Sequence, residues 1–189
     1  MVSVSGIKQK AGAAFIALAA FTISPLLQAA ENEYLQLPNL SLAAGDTFPL
    51  KQLTDLSGKA LSAQQFQGKY VLINFYSEHC APCIREVPVL NQIMLRNKDI
   101  HVLAITPDKA EEAKQYLQQH ALQWPVAAGA DQLLFDQIGV KSFPSFALLD
   151  RNGKLVTTVY ANQLGGEDGH ATLEGIEKWL RLKMRSAKL

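Results

Sequence analysis

Cysteine is scarce in this chain, which has only two in 189 residues, Cys80 and Cys83. A structural zinc site needs about four ligands, and neither a second Cys-x-x-Cys pair nor a His-x-x-x-His pair is present to complete one. Attachment of a c-type haem would need a histidine directly after Cys83, where Ile84 stands. The cysteine pattern therefore predicts no structural zinc site and no c-type haem, and no residue is assigned as a metal ligand on these grounds.

Charge of one sign is not in excess either, because 18 lysines and arginines balance 17 aspartates and glutamates. A protein whose main partner is nucleic acid needs a basic excess to neutralise phosphates, so this class of partner is excluded. The chain also lacks a linker rich in proline, serine or glycine and a repeat at a solenoid period. Residues 31–189 are therefore predicted to form one domain, which at about 160 residues is long enough for a real core.

Residues 1–30 are predicted to be a secretory signal peptide. The features that indicate it are a positive start, an apolar run, a helix breaker and small residues at a cleavage point, found at Lys8, Lys10, Ala11–Ile23, Pro25, Ala29 and Ala30. An uncleaved N-terminal anchor is the alternative, because the stretch 11–30 approaches the roughly 20 residues of a membrane-spanning helix. Both interpretations place residues 31–189 outside the cytoplasm, in the periplasm or another extracytoplasmic space.

Hydrophobic periodicity predicts strands that alternate with helices and then an antiparallel hairpin. The predicted strands cover 70–76, 100–105, 145–149 and 154–160, and the predicted helices cover 80–98, a segment after 106–108, 131–138 and 171–184. A small hairpin is expected from Phe48–Leu53 and Ala60–Ser62 with Gly58 in its turn, and Pro88 is expected to kink the first helix. This order of elements predicts an α/β fold with a mixed central sheet and helices on both faces.

The two cysteines stand where the first predicted strand gives way to a helix, in the run Cys80-Ala81-Pro82-Cys83. At a helix N-terminus the unpaired N–H groups and the helix dipole stabilise a thiolate, the form of cysteine that reacts in disulfide exchange. A disulfide at this spacing closes almost no loop, so it makes a poor structural staple. We therefore interpret the pair as redox-active, with Cys80 as the exposed nucleophile and Cys83 as the more buried resolving thiol.

With these motifs the chain resembles the thioredoxin superfamily, and more narrowly its exported TlpA/ResA-like branch, over most of its length. The segments that carry the resemblance are Gly68-Lys69, the strand and Cys-x-Pro-Cys motif of Val71–Cys83, Glu86, Phe143-Pro144-Ser145, and Leu148–Lys154, which is similar to the LIDxxGK hairpin of that branch. The resemblance implies a thioredoxin-like fold and a thiol–disulfide oxidoreductase. Its activity would need no cofactor beyond the redox-active disulfide of Cys80 and Cys83.

The resemblance also assigns roles to residues outside the cysteine motif. Glu86, one turn beyond Cys83, looks like the substitute for a buried acid that many cytoplasmic thioredoxins carry where this chain has Asn74. A carboxyl in a partly apolar groove would have a raised pKa and would move a proton to or from Cys83. Pro144 is expected to be cis and to lie opposite the cysteines, where Phe143 would pair with an extended client segment and add apolar contact.

Three neighbours of the cysteines are expected to tune them. Ala81 and Pro82 shape the first helical turn and affect the reduction potential, since proline fixes its own φ and offers no N–H to the sulfur. His79, where the superfamily usually has tryptophan, would favour the Cys80 thiolate if protonated and push the pair towards oxidising power. His79 is equally interpreted as an exposed histidine that merely replaces a surface tryptophan.

The sequence shows no dedicated dimerisation segment, so the chain is expected to be a monomer. By family analogy it is expected to reduce disulfides in client proteins, such as apocytochromes before haem attachment or mispaired proteins, with electrons from a membrane partner. A disulfide oxidase or isomerase is the alternative within the same class. Two rivals come from other classes. A thiol peroxidase would need a Thr-x-x-Cys loop, which the chain lacks. A non-enzymatic Cu(I)-binding or copper-resistance module would use Cys80, Cys83 and His79, since thiolates suit Cu(I).

Overall fold

The computed structural model describes Met1 and residues 34–165 and 169–187, so the predicted leader lies, apart from Met1, outside the described residues. Within these ranges the chain forms the strands β1 Tyr70–Phe75, β2 Ile100–Ile105, β3 Val126–Ala127, β4 Ser145–Leu149 and β5 Leu155–Tyr160. The α-helices of the described part are α1 Ala81–Arg96, α2 Ala110–His120 and α3 Leu173–Ser186. No helix within the described ranges is both long and apolar enough to cross a membrane.

The strands form one mixed sheet in the order β3-β2-β1-β4-β5. β1 pairs in parallel with β2, and β2 with β3, whereas β4 runs antiparallel to both β1 and β5. Every position of β1 is buried, as expected of a run that is apolar except for Asn74 and has a sheet neighbour on each side. The predicted mixed sheet is confirmed, and β1, which leads into the cysteines, is its central strand.

Side chains alternate between the two faces of the sheet and fill a hydrophobic core on each. One core joins the sheet to α1, α2 and α3, with members that include Leu72, Leu90, Val102, Tyr116, Leu148 and Trp179. The other joins the opposite face to the N-terminal segment and to Leu133–Ile138, a short helix with π-type hydrogen bonds, with members that include Leu50, Phe66, Val71, Ile73, Leu134 and Leu149. Helical elements therefore cover both faces, as predicted, with the three α-helices on one of them.

The strand expected at Phe48–Leu53 is not formed, and this prediction is wrong. Leu50–Gln52 instead makes a turn of 3-10 helix. A 3-10 helix brings residues three apart to the same side, and Leu50 and Leu53 are accordingly both buried, at 4% and 2% exposure. The apolar residues that suggested a strand therefore pack into the hydrophobic core from a turn of 3-10 helix.

Two smaller expectations concern turns and helix continuity. Thr54 and Ala60 form a bridge across the predicted hairpin turn, and Gly58 within it has a φ of +81°, the left-handed region that glycine adopts without strain. The first helix, expected to kink at Pro88, is continuous from Ala81 to Arg96. The active-site helix is thus one uninterrupted element.

Substitution of Gly175 by alanine is expected to destabilise the fold. A Cβ on Gly175, in the first turn of α3, would stand 1.8 Å from the carbonyl oxygen of Leu164. That oxygen accepts the N–H of Thr172 at 3.1 Å and its hydroxyl at 2.8 Å, so it cannot move away without breaking them. We expect Gly175→Ala to lower the free energy of unfolding by about 3 kcal/mol or more in urea denaturation.

Glu174→Ala is the matched control, since Glu174 is exposed in the same turn. It should change the free energy of unfolding by less than about 1 kcal/mol. A Gly175→Ala protein as stable as wild type would show that the approach of α3 to Leu164 is not as close as the structure has it.

Candidate active site

The candidate site begins where β1 gives way to α1, because Cys80 is the N-cap residue of α1. The backbone N–H of Cys83 donates to Cys80 Sγ at 3.2 Å, so the sulfur takes the place of a capping oxygen at the positive end of the helix. The two cysteines form a disulfide, with their Cα atoms 5.2 Å apart. Cys83 is 3% exposed and Cys80 is half-buried, so Cys80 is the member of the pair that a client reaches first.

The loop before Cys80 is held by a carboxylate that follows β2. Asp108 Oδ2 accepts the backbone N–H of Glu78 at 2.7 Å and the hydroxyl of Thr106 at 2.5 Å. The N–H of Cys80 donates to the carbonyl oxygen of Ser77 at 3.2 Å, which closes the loop into a turn. Asp108 therefore fixes the loop before Cys80 to the C-terminal end of β2.

The three residues expected to tune the cysteines lie at the surface or in the first helical turn. The side chain of His79 is 91% exposed, and its Nε2 lies 3.2 Å from Glu78 Oε1. This carboxylate would offset the charge of a protonated imidazole and so weaken its effect on Cys80. Ala81 is exposed, and Pro82 lies in the first turn of α1, where a missing N–H leaves no helical hydrogen bond unmade.

Glu86 is fully buried on the inner face of α1, one turn beyond Cys83. Its Oε1 accepts the backbone N–H of Ala171 at 2.8 Å, and its Oε2 lies 3.5 Å from Nδ2 of Asn74 on β1. Burial raises the pKa of Glu86 to about 8, and the N–H of Ala171 offsets only part of this rise. At neutral pH the carboxyl is therefore mostly protonated, on the helix face that also carries the buried cysteine.

Two buried tyrosines lie in the same core as this carboxyl. The ring of Tyr76, directly after β1, is 4.8 Å from the ring of Tyr116 on α2. Burial raises the pKa of both hydroxyls, and the charge of an ionised Glu86 raises that of Tyr116 further. Neither hydroxyl ionises near neutral pH, so the carboxyl of Glu86 is the first of these three groups to lose its proton.

The Phe143–Pro144 peptide bond is cis, as predicted. The next residue, Ser145, begins β4 and pairs with Phe75 at the end of β1. Because β1 leads directly towards Cys80, this register places Pro144 at the edge of the sheet from which the disulfide projects. The sequence-predicted site residues from the two distant segments therefore share one edge.

Phe143 contributes apolar surface at this edge. Its side chain is half-buried and packs against both cores. Its ring centroid lies 6.3 Å from that of Phe135, which is 41% exposed on the short helix Leu133–Ile138. The two rings extend the apolar surface beside Pro144 beyond the single aromatic residue predicted from the sequence.

An acidic cluster lies near the loop before the cysteines. Glu78, Asp108 and Glu112 each place one carboxylate oxygen within 4.8 Å of the others. Glu112 accepts the N–H of Lys109 at 2.8 Å at the start of α2, and Asp108 accepts the N–H of Glu78. Both carboxylates thus already accept hydrogen bonds from backbone N–H groups, Glu112 at the start of α2 and Asp108 in the loop before Cys80.

The comparison with protein families decides where the chain belongs. The model of the AhpC/TSA family matches residues 44–158, more than half of the chain, including the cysteines and Pro144. The chain is a member of the AhpC/TSA family. It is also 32% identical over 137 residues to thiol-disulfide oxidoreductase ResA of Bacillus thuringiensis, a match that covers 71% of this chain and 76% of that protein.

Solved structures agree with this AhpC/TSA membership. The thioredoxin domain of a thiol-disulfide oxidoreductase from Bacteroides vulgatus matches with a TM-score of 0.57 and 27% identity over 74% of this chain and 99% of that one. A structure described as a candidate thiol:disulfide interchange protein DsbE from Chlorobium tepidum matches with a TM-score of 0.58 and 26% identity over 78% and 99%. The predicted thioredoxin-like fold and ResA-like membership are confirmed, and the chain is a thiol–disulfide oxidoreductase of ResA/DsbE type.

Several contacts of this oxidoreductase site escaped sequence reasoning. The sequence pattern places Asp108 only just before a predicted helix, although its side chain binds the loop before the first cysteine at Glu78, 30 residues earlier. Ala171 lies 85 residues from Glu86, and a backbone N–H leaves no mark in a sequence. Asn74 did give a signal, as the one polar residue in an apolar strand, but the resemblance made Glu86 only the substitute for a missing acid there and predicted no contact between the two residues. Phe135 gave none, because an apolar residue in a helical pattern is ordinarily part of the core.

Proposed function

We propose that this oxidoreductase works outside the cytoplasm as a reductant of disulfides in client proteins, such as apocytochromes before haem attachment or mispaired proteins. The observation that carries the proposal is the pairing of a half-buried sulfur at a helix N-terminus with a buried one whose helix face holds the protonatable Glu86. The similarity to proteins named thiol-disulfide oxidoreductase ResA supports the exchange chemistry, and the reducing direction is proposed by family analogy. The apolar run before residue 31 supports the location.

In the first step the reduced enzyme attacks a client disulfide. The thiolate of Cys80, stabilised by the N–H of Cys83 and the helix dipole, attacks one client sulfur. The client S–S bond breaks, a bond forms between Cys80 and the client, and the departing client thiolate takes a proton from water. The cis Pro144 edge would hold the client segment as an added strand, with Phe143 and Phe135 against its apolar side chains.

In the second step Cys83 resolves the mixed disulfide. Glu86 takes the proton of the Cys83 thiol, and the resulting thiolate attacks Cys80 Sγ. The Cys80–Cys83 bond forms, the second client sulfur leaves as a thiolate, and two electrons have passed from the enzyme dithiol to the client. The ionised fraction of Glu86 is the acceptor near neutral pH, and a pKa of about 8 keeps the proton on the carboxyl in the oxidised state.

The oxidised enzyme must then be reduced again. A membrane protein that supplies two electrons and two protons per turnover is the proposed donor, and the enzyme is proposed to work as a monomer without any cofactor beyond its disulfide. An oxidase or isomerase would use the same bonds in the opposite direction, with His79 as a stabiliser of the thiolate. The sign of the potential difference between enzyme and client decides between these directions.

The reduction potential of the cysteine pair in the purified chain tests the proposal. Equilibration against thiol–disulfide buffers, followed by mass spectrometry of alkylated cysteines, is expected to give about −270 mV or lower, the value of a reductant. A value near about −120 mV would contradict the reducing direction and support the oxidase. A pair that does not cycle, in a protein that binds one Cu(I) tightly, would contradict the enzyme altogether, and rapid consumption of peroxide would favour the peroxidase.

A further inference from the structure

The carboxyl of Glu86 is held by two amide groups from different parts of the fold. The backbone N–H of Ala171 lies 2.8 Å from Oε1, and the side-chain amide of Asn74 lies 3.5 Å from Oε2. Asn74 is 4% exposed and lies within β1, where it pairs with Ala104 on one side and Phe146 on the other. Its side chain is thereby kept from turning to solvent, so its amide remains at the carboxyl.

The backbone contact determines which oxygen of Glu86 carries the proton. A backbone N–H only donates, so Oε1 accepts the N–H of Ala171 whether the carboxyl is ionised or not. Because the carbonyl oxygen of a carboxylic acid is a stronger acceptor than its hydroxyl oxygen, we place the acidic proton, when present, on Oε2, the oxygen that faces Asn74. An asparagine amide carries both a donor and an acceptor, which no carboxylate or apolar side chain of similar size does.

We propose that Asn74 is a positioning residue that holds Glu86 in both of its charge states by reversing its own amide. With Glu86 ionised, Nδ2–H of Asn74 donates to Oε2; with Glu86 protonated, Oε2–H donates to Oδ1 of Asn74. The carboxyl then keeps its orientation before and after it takes the proton of Cys83. The positioning is a property of the fold, and its use in disulfide exchange rests on the proposed function.

The oxidised protein isolates this titration from that of other groups. The charge of Glu86 acts on Tyr116 on α2, whose hydroxyl pKa it raises beyond the effect of burial. Its hydroxyl pKa is raised, so it stays neutral while the carboxyl titrates. On α1 itself, Cys83 lies one turn before Glu86 and is held in the disulfide, so it does not titrate.

Carbon-13 NMR of the side-chain carboxyls in the oxidised protein tests the proposal, with Glu86→Gln to assign the signal. In wild type Glu86 should titrate near pH 8. Asn74→Leu removes the donor to the ionised form, which is the stronger of the two hydrogen bonds, so the pKa of Glu86 should rise by about half a unit to one unit. Asn74→Asp places a second carboxyl there, and the upper step of the pair should rise by more than about one unit.

Thr157→Val is the matched control, since it removes a buried hydroxyl of β5 that donates to the carbonyl oxygen of Thr158 and not to Glu86. It should leave the titration of Glu86 unchanged. A folded Asn74→Leu protein that titrates as wild type would overturn the proposal. An Asn74→Asp protein with a single step at the wild-type pH would overturn it independently of how the leucine variant folds.

The same experiment separates this inference from the proposed function, because it measures no exchange. If the titration moves as expected but Glu86→Gln reduces clients at the wild-type rate, the positioning by Asn74 stands and the proton transfer to Glu86 fails. If Cys80→Ser abolishes exchange and the titration does not respond to Asn74, the exchange function stands and the positioning fails.

Discussion

Cys80→Ser is expected to lower the rate of disulfide reduction by about a thousandfold or more. The reaction requires a thiolate, and a serine hydroxyl neither ionises near neutral pH nor forms a disulfide with the client. The structure adds a reason for the asymmetry between the cysteines, because Cys80 is half-buried whereas Cys83 is 3% exposed. The measurement is the second-order rate constant of the pre-reduced protein with a small aromatic disulfide, read from the released thiolate.

Cys83→Ser is expected to separate the two steps. Its Cys80 thiolate still attacks the disulfide, but no second thiol resolves the product, so one equivalent of probe remains covalently bound. Intact-protein mass spectrometry should show this adduct, and it should disappear when reductant is added. Turnover with excess disulfide and reductant should fall by at least about a hundredfold.

Leu95→Ser serves as the control, since Leu95 is 59% exposed in the last turn of α1, far along the helix from the cysteines. It should reduce the probe at the wild-type rate. A stable adduct in Cys80→Ser and none in Cys83→Ser would reverse the assigned roles. Wild-type turnover in Cys80→Ser would remove this cysteine from the mechanism.

The parts of the fold that sequence predicted are those with strong local patterns. β1 and β2 are apolar runs, and α1 and α3 repeat their apolar residues at helical spacing. β3 was missed because a strand of two residues, Val126–Ala127, is too short to show a period. The strand expected at Phe48–Leu53 failed because an apolar run alone does not distinguish a strand from a buried helical turn.

The candidate site likewise contains residues that local sequence motifs predict and contacts that only the tertiary structure reveals. The cysteine pair and the cis Pro144 lie in local motifs, so their places could be predicted. The contacts that hold Glu86 and the loop before Cys80 join residues that only the tertiary structure brings together, such as Asp108 and Ala171. Every residue except proline has a backbone N–H, and many loops contain a carboxylate that accepts one. The sequence therefore does not show which backbone N–H binds Glu86 or which carboxylate holds the loop before Cys80.

Glu86→Gln is expected to remove a large pH dependence from the stability of the oxidised protein. The folded pKa of Glu86, about 8, lies above its ordinary value of 4.5 in an unfolded chain. A raised folded pKa means that the native state binds the proton more tightly, so this contribution to stability is fully present below about pH 4.5. It is lost as pH rises through 8, by about 5 kcal/mol in all, since burial disfavours the ionised carboxyl.

Glutamine stays neutral and keeps an oxygen for the N–H of Ala171, so it mimics the protonated acid at every pH. Urea denaturation at a series of pH values should therefore show wild type and Glu86→Gln equally stable near pH 4.5, and the variant more stable by several kcal/mol near pH 8.5. Glu174→Gln, at an exposed position of α3, should follow wild type throughout. Other titrating groups are common to all three proteins and cancel in the comparison. Parallel curves for wild type and Glu86→Gln would mean that Glu86 ionises in the folded protein near its ordinary pKa, which would leave Cys83 without a proton acceptor suited to neutral pH.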